Sequence, residues 1–402
     1  GTYGLPEDPT SLVSRAIRGA KWFNAMTQLT GAISAIPDVG RLVMTEGLNR
    51  TLEQGLKPFL AGVGEQVSAY GKAKRELNLA GEALETYLGV RAAMLADLPD
   101  AFATETRAET MLQRGAGMMF NINLMNQWTD AIKTVTAMMV STRILEDATK
   151  LARGQEGANV ARLGRAHIDK PMAERIAAQF EKHGETLDHV WLPNTDLWTD
   201  EAARETFRAA LAKDVNIAIV TPAPGERALW TSTEWGGLVA QFKGFGMASF
   251  QRVLVAGLQE RDANFVMGAA MMVGLGAIAE AIRAKQNGRD PTTADLLKGG
   301  IDRSGVLGWF MDMNNGIERL TDGAVGLGPM MGVTNPYSQD LMSRVLQVGL
   351  GPTGGTIDKT GDLLNALSTG QNVGTAVRRI APLQSVFWAD SLFDRFQEGL
   401  NR

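Results

Sequence analysis

From Ala263 to Ala279 the chain has seventeen consecutive residues without a charge, set between Glu260-Arg261-Asp262 and Glu280. A helix rises about 1.5 Å per residue, and a bilayer core about 30 Å thick needs roughly 20 apolar residues to cross. Counting on to Ile282 reaches that length, with Glu280 near one end. A carboxylate costs roughly 3 kcal/mol at the centre of a membrane and is tolerated near its edge. Much of the run is Met, Gly and Ala, which are only weakly hydrophobic. It therefore reads in two ways: a buried helix of a soluble bundle, the stronger reading, or a helix kept soluble by packing until a partner or membrane displaces it. Candidate membrane or helix-packing residues are Phe265, Met267, Ala270, Met271, Met272, Gly274, Leu275, Gly276 and Ile278. Ala270 and Gly274, four apart, fit a small-xxx-small contact that lets two helices approach closely. Trp22 to Pro37 is also uncharged, but too short to span. Trp230, Trp235, Phe242, Phe245 and Phe250 precede the main run and suit either core packing or an interfacial anchor.

Helical periodicity dominates the rest of the chain. Leu12 to Ile36 has apolar residues at helical spacing and ends at Pro37. Arg41 to Leu60 is a second helical stretch, with interruptions expected at Gly55 and Pro58. Glu65 to Ala96 is a third, and Leu98-Pro99-Asp100 breaks it. Thr104 to Leu151 carries a methionine stripe (Met111, Met118, Met119, Met138, Met139), read as adaptable core filler. Gly154 to Gly164 is a polar, Gly-rich connection. Pro171 opens a helix to Gly184, and Leu192-Pro193-Asn194 is a turn. A helix capped near Thr199 runs to Asp214 or beyond, continuing through the β-branched Val215 to Val220 because an isolated strand is not stable. After the turn Asn287-Gly288-Arg289-Asp290-Pro291, short helices are expected from Thr292 or Thr293 to Lys298, Val306 to Leu320, Tyr337 to Val348, Ile357 to Ser368, Val373 to Ile380, and Pro382 to the end. The expected fold is all-α: a multi-helix, elongated or bundle-like assembly subunit with Gly/Pro-rich connections. Its expected divisions are 1–153, 154–225, 226–286 and 287–402.

Little in the chain points to catalysis. There is no cysteine, which excludes disulfides, thiolate zinc sites and Cys nucleophiles. Three histidines, His167, His183 and His189, fall short of a zinc site's ligand geometry. Asp188-His189 lacks a serine in a nucleophile elbow. Gly274, Gly276 and Ala279 match a dinucleotide fingerprint in letters only, since that pattern must follow a strand and open a helix. Gly351-Pro352-Thr353-Gly354-Gly355 lacks the Gly-Lys-Ser/Thr ending of a phosphate loop. Glu201 and Glu205 suit a solvated face. No cofactor, metal or catalytic residue is expected. The net charge of −4, with Lys72, Lys74 and Arg75 as the densest basic cluster, argues against non-specific nucleic-acid binding. The chain begins at Gly1 with no signal-peptide pattern, and is read as a piece of a longer polypeptide.

One stretch carries a resemblance. Gln241, Phe242, Lys243, Gly244 and Phe245 are followed by Leu258-Gln259-Glu260-Arg261-Asp262 and the Met/Gly/Ala run. Together they look like the C-terminal part of the large internal virion protein of short-tailed phages. Asp302-Arg303-Ser304-Gly305 and the proline-marked ending at Pro382-Leu383 agree with that layout. Phe120 to Ala137, with Gln127-Trp128-Thr129-Asp130, is similar to a segment of related giant phage polyproteins. The resemblance implies a protein packed inside the capsid, leaving with or before the DNA and forming part of a conduit across the host periplasm and inner membrane. Its implied partners are other internal virion proteins, the portal or tail, the host inner membrane, phage DNA in passage and further copies of itself. Some members carry an upstream lytic transglycosylase domain, and nothing here resembles one. The alternatives are a virion core or tape-measure protein that never leaves the particle, a helical pore-forming effector, and a helical enzyme domain.

Overall fold

A computed structural model describes residues 11–28, 35–62, 68–80, 111, 114, 118, 125–187, 189–219, 229–241, 263–286, 289–307, 309–333, 344, 345, 348 and 352–380. The fold is all-α. The helices are α1 (Leu12–Gln28), α2 (Asp38–Glu46), α3 (Leu48–Arg50), α4 (Lys57–Gly62), α5 (Ala69–Ala80), α6 (Met125–Ala152), α7 (Val160–Arg165), α8 (Lys170–His183), α9 (Glu201–Ala218), α10 (Glu234–Val239), α11 (Ala263–Gln286), α12 (Thr293–Ser304), α13 (Trp309–Leu320), α14 (Leu327–Met330), α15 (Pro352–Thr369) and α16 (Val373–Ile380).

The long helix α6 is the axis of the core. It is buried almost all round from Ile132 to Ala148 despite several hydroxyls. Thr134, Thr136 and Thr142 each donate to the carbonyl four residues earlier (2.9, 2.7 and 2.8 Å), so none of these hydroxyls lacks an acceptor. Met138 and Met139 are fully buried, as the core reading of the methionine stripe expects, whereas Met111 and Met118 are exposed. One apolar cluster joins Ile144 and Ala148 of α6 to Leu163, Ile176, Phe207 and Leu211. The expected polar connection Gly154 to Gly164 is an exposed loop to Asn159 that leads into α7, whose Leu163 is buried in this cluster.

Around α6, two features depart from the sequence reading. The break in the second helical stretch falls at Gly47 (φ 84°), and the chain then passes Gly55 and Pro58 in one run through a π-helical turn, Thr51–Leu56. The Lys57 amide bonds back five residues to Leu52 just ahead of Pro58, whose ring would clash with an ordinary helical carbonyl. Gly55 lies against α6, where an added Cβ would stand 3.0 Å from the Met139 sulfur. A small hairpin was also not foreseen: β1 (Glu185–Leu187) pairs antiparallel with β2 (Val190–Leu192). It is pinned to α6, since the Trp191 amide donates to Thr142 Oγ1 (2.9 Å) and Ser141 donates to the Trp191 carbonyl (3.1 Å). Trp191 also stacks on Phe180 of α8, with centroids 4.9 Å apart.

A closed ring of four charges ties α2, α6, α7 and α9 together. Glu46, whose side chain is wholly buried, accepts from Arg143 Nε (3.0 Å) and Arg162 Nη2 (2.6 Å). Asp214 accepts from Arg143 and lies 3.7 Å from Arg162 Nε. Beside the ring, Arg41 of α2 donates to the carbonyls of Ala218 (2.7 Å) and Ile217 (3.1 Å), closing the C-terminus of α9.

Helix starts follow local chemistry. Asp169 caps α8, with Pro171 in the first turn. Thr292 and Asp295 form a capping box that opens α12, which runs past the expected Lys298 to Ser304 and ends at left-handed Gly305. Asp200, one residue beyond the expected Thr199, caps α9 and pairs with Arg175. The Arg175 guanidinium and the Ala203 amide hold the Asp200 carboxyl at about 2, below its usual 3.8. Its contribution to stability is therefore complete above its unfolded value and fades as pH falls towards about 2. Asp200→Ala is expected to cost about 1 kcal/mol near neutral pH. The gap between variant and parent should narrow below pH 4, read from urea midpoints; a gap independent of pH would refute the capping role.

Candidate functional site

No described cluster of His, Asp or Glu is arranged to hold a metal ion. His167 and His189 sit in left-handed turns. Arg204 contacts both Glu201 and Glu205 in solvent, so that carboxylate pair belongs to an exposed helix face. Asp188 lies outside the described residues. The feature left to consider is α11, the single described helix long and apolar enough to cross a membrane.

The packed face of α11 is built on glycine. α2 runs antiparallel beside it: Gly40 lies against Met272, where an added Cβ would stand 2.6 Å from the Met272 amide nitrogen. Gly268 lies against Met44, with its own hypothetical Cβ 2.7 Å from the Met44 nitrogen and 2.9 Å from the Gly40 carbonyl oxygen. Further along the same face α12 crosses at Gly276 and Gly300. A Cβ on Gly276 would stand 2.5 Å from the Gly300 carbonyl oxygen, and one on Gly300 would stand 2.7 Å from the Val273 carbonyl oxygen. Gly268, Met272 and Gly276 recur every four residues, so they share one helix face, and Ala279 is buried beyond them. Below this crossing Arg303 pairs with Glu280 (2.7 Å).

The expected site residues divide among three surroundings. Met272 and Gly276 are buried in the glycine contacts. Met271 and Leu275 are half-buried against the apolar core, and Phe265 is half-buried. Met267 (50 % exposed), Ile278 (52 %), Ala270 and Gly274 face outward. The small-xxx-small contact expected at Ala270 and Gly274 is therefore corrected. Gly274 has open space around it, and the close approaches are made by Gly268 and Gly276. The run has small residues in both phases, and only the neighbouring helices select one. Val266 (66 % exposed) and Ile282 (38 %) complete the outward stripe.

Residues of the stretches around Gln241, Trp128 and Arg303 have structural work where they are described. Gln241 is fully buried; its Nε2 donates to the Lys21 carbonyl (2.8 Å), and its Oε1 accepts from Asn24 Nδ2 (2.9 Å). Asn24 also bonds Thr353 (3.0 Å) and Thr356 (2.6 Å), so one polar knot joins α1, the end of α10 and the start of α15. Asn24 has no motif around it and was not foreseen. Phe242, Lys243, Gly244, Phe245, Phe250, Leu258 to Asp262 and Pro382-Leu383 lie outside the described residues. Trp128 donates to the Ala35 carbonyl (3.2 Å), and Asp130 pairs with Lys74. Arg303, Ser304 and Gly305 form the end of α12. Trp230 and Trp235 are more than half exposed, not core aromatics. Comparison with protein-family models, curated proteins and solved structures finds no match.

Proposed function

We propose that this chain is an internal virion protein of a bacteriophage, delivered into the host to form part of a trans-envelope conduit for the genome, with α11 as its membrane-contacting element. The observation that carries the reading is the exposure of α11. A core helix of a soluble bundle is mostly buried, yet only 22 % of the apolar window of α11 is buried. A continuous apolar face of this kind marks an interaction site. Support also comes from the resemblance around Gln241 and from the all-helical architecture. The partners in this proposal are further copies of the chain, other internal virion proteins, the portal or tail, and the host inner membrane. The net charge of −4 suits a conduit wall that DNA passes without adhering.

The test is an immunoblot of purified particles before and after triggered genome release. The chain is expected in full particles and lost from emptied ones. Retention in the emptied shell would make it a fixed core or tape-measure component. Absence from both would remove the virion reading and leave a membrane-active effector.

A further inference from the structure

Helix α13 turns a polar side inward. Phe310, Met313, Ile317 and Leu320 are exposed, whereas Glu318 is buried. Asn314 and Glu318, one turn apart, grip the chain as it doubles back after the helix. The Gly328 amide donates to Glu318 Oε1 (2.8 Å), and Asn314 Nδ2 donates to the same oxygen (2.7 Å). The Leu327 amide donates to Asn314 Oδ1 (2.8 Å). Lys298 of α12 pairs with the other carboxylate oxygen. The fit is close: an added Cβ on Gly328 would stand 2.8 Å from Lys298 Nζ. The returning segment, 321–333, has little apolar anchorage. Val325 and Met330 are exposed, and its buried residues are Gly328 and Val333. At its near end Asp322 pairs with Arg344 (3.1 Å).

We propose that segment 321–333 is an acid-released strap, which lifts as a unit when Glu318 takes up a proton while the core around α6 stays folded. It does not depend on the function proposed above. A protonated Glu318 no longer neutralises Lys298, whose own side chain is largely buried, and it accepts less strongly from Gly328 and Asn314. A segment with so few buried apolar side chains has no second hold once that clip is lost, so it opens locally. The charged group facing Glu318 is Lys298 of α12; α13 itself supplies Asn314, and the strap supplies the Gly328 amide. These donors outweigh burial and hold the Glu318 carboxyl below its usual 4.5. The clip is therefore complete above the unfolded value and is lost as pH falls through the lower folded one. Glu76 and Asp147, packed around α6, are pushed up by burial, so acid favours the folded core while it releases the strap.

The experiment is hydrogen exchange of the full chain, read by mass spectrometry at a series of pH values downward from neutral and corrected for the intrinsic rate at each. In the parent, peptides of the strap should lose protection at a pH where peptides of α6 still keep theirs. At neutral pH, Glu318→Gln should speed exchange at Leu327 and Gly328 by at least about 100-fold and leave α6 unchanged. Lys298→Met removes the countercharge, which raises the folded value of Glu318 and should move the opening of the strap to higher pH. Strap amides that exchange in Glu318→Gln at the parent rate would overturn the proposal. So would a strap and an α6 that lose protection together at one pH in the parent, a readout that stands even where Glu318→Gln fails to fold. A Lys298→Met strap that opens at the parent's pH would show that the ion pair does not set the release.

Discussion

Glu46→Gln is expected to cost about 3–5 kcal/mol, the largest loss from any single conservative replacement in the described core. Glu46 is wholly buried and accepts from two guanidiniums, those of Arg143 and Arg162. The amide keeps the shape but removes the charge, so Arg143, itself buried, and Arg162 are left with Asp214 as their one carboxylate. The ring also sits where α2, α6, α7 and α9 meet, so its loss reaches every layer packed around α6. The matching control is Glu53→Gln, which breaks the exposed pair with Lys57 one turn on and should cost at most about 1 kcal/mol. Chemical denaturation of both variants decides the matter, and equal small losses would show that the ring is not a structural tie. Replacing Glu46 and Arg143 together by Met should cost less than the two single changes added, because a paired burial is then removed whole.

Gly276→Ala should destabilise by about 1–3 kcal/mol, while Gly274→Ala, two residues away, should stabilise by about 0.5–1 kcal/mol. Both glycines are inside α11, so both gain the same helix propensity on acquiring a methyl group. The difference is what the methyl meets. At Gly276 it meets the Gly300 carbonyl oxygen at 2.5 Å and the Gly300 backbone carbon atoms at 3.2 Å, none of which can turn away. At Gly274 nothing lies within 4 Å. Gly300→Ala should behave like Gly276→Ala, since its methyl would meet the Val273 carbonyl oxygen at 2.7 Å. Thermal melts of the three variants test the crossing, and a stabilising Gly276→Ala would mean that α12 does not cross α11 there.

The buried carboxylates also set a direction with pH. Burial pushes Glu76 up from its usual value, against the pull of Thr195, whose amide and hydroxyl both donate to it (3.1 and 2.7 Å). Burial does the same to Asp147, against the Asn159 backbone and the cations of Arg143 and Lys150. A raised carboxyl favours the folded state most when protonated, so these two groups weaken stability as pH rises through their folded values. Glu318 goes the other way. Its burial is outweighed by Lys298, the Gly328 amide and Asn314, which hold it below its usual value.

Much of the helix plan was legible because it is written in local chemistry. α16 occupies the expected Val373–Ile380, and the boundaries of α8 follow Asp169, Pro171 and Gly184. The continuation of α9 through Val215 was also readable, since no partner strand lies nearby in sequence. The hairpin of β1 and β2 was not readable: three-residue strands leave no periodicity, and these two are held by Thr142 and Ser141 from a helix some 50 residues earlier. Glu46 and Asn24 were equally invisible, since each acts through partners that only the fold brings near.

The sequence by itself determined that this chain is helical, that it lacks cysteine chemistry, and that α11 is uncharged from Ala263 to Ala279. Those properties belong to composition, capping and spacing, which act within a few residues. Tertiary structure decided which face of α11 is covered. Gly268 and Gly276 admit the backbones of α2 and α12, and so Ala270, Gly274 and Ile278 are turned outward. Small residues lie on both faces of the run, so either phase could have packed. Only the surfaces of α2, more than 200 residues earlier, and of α12, folded back after the turn, break that symmetry.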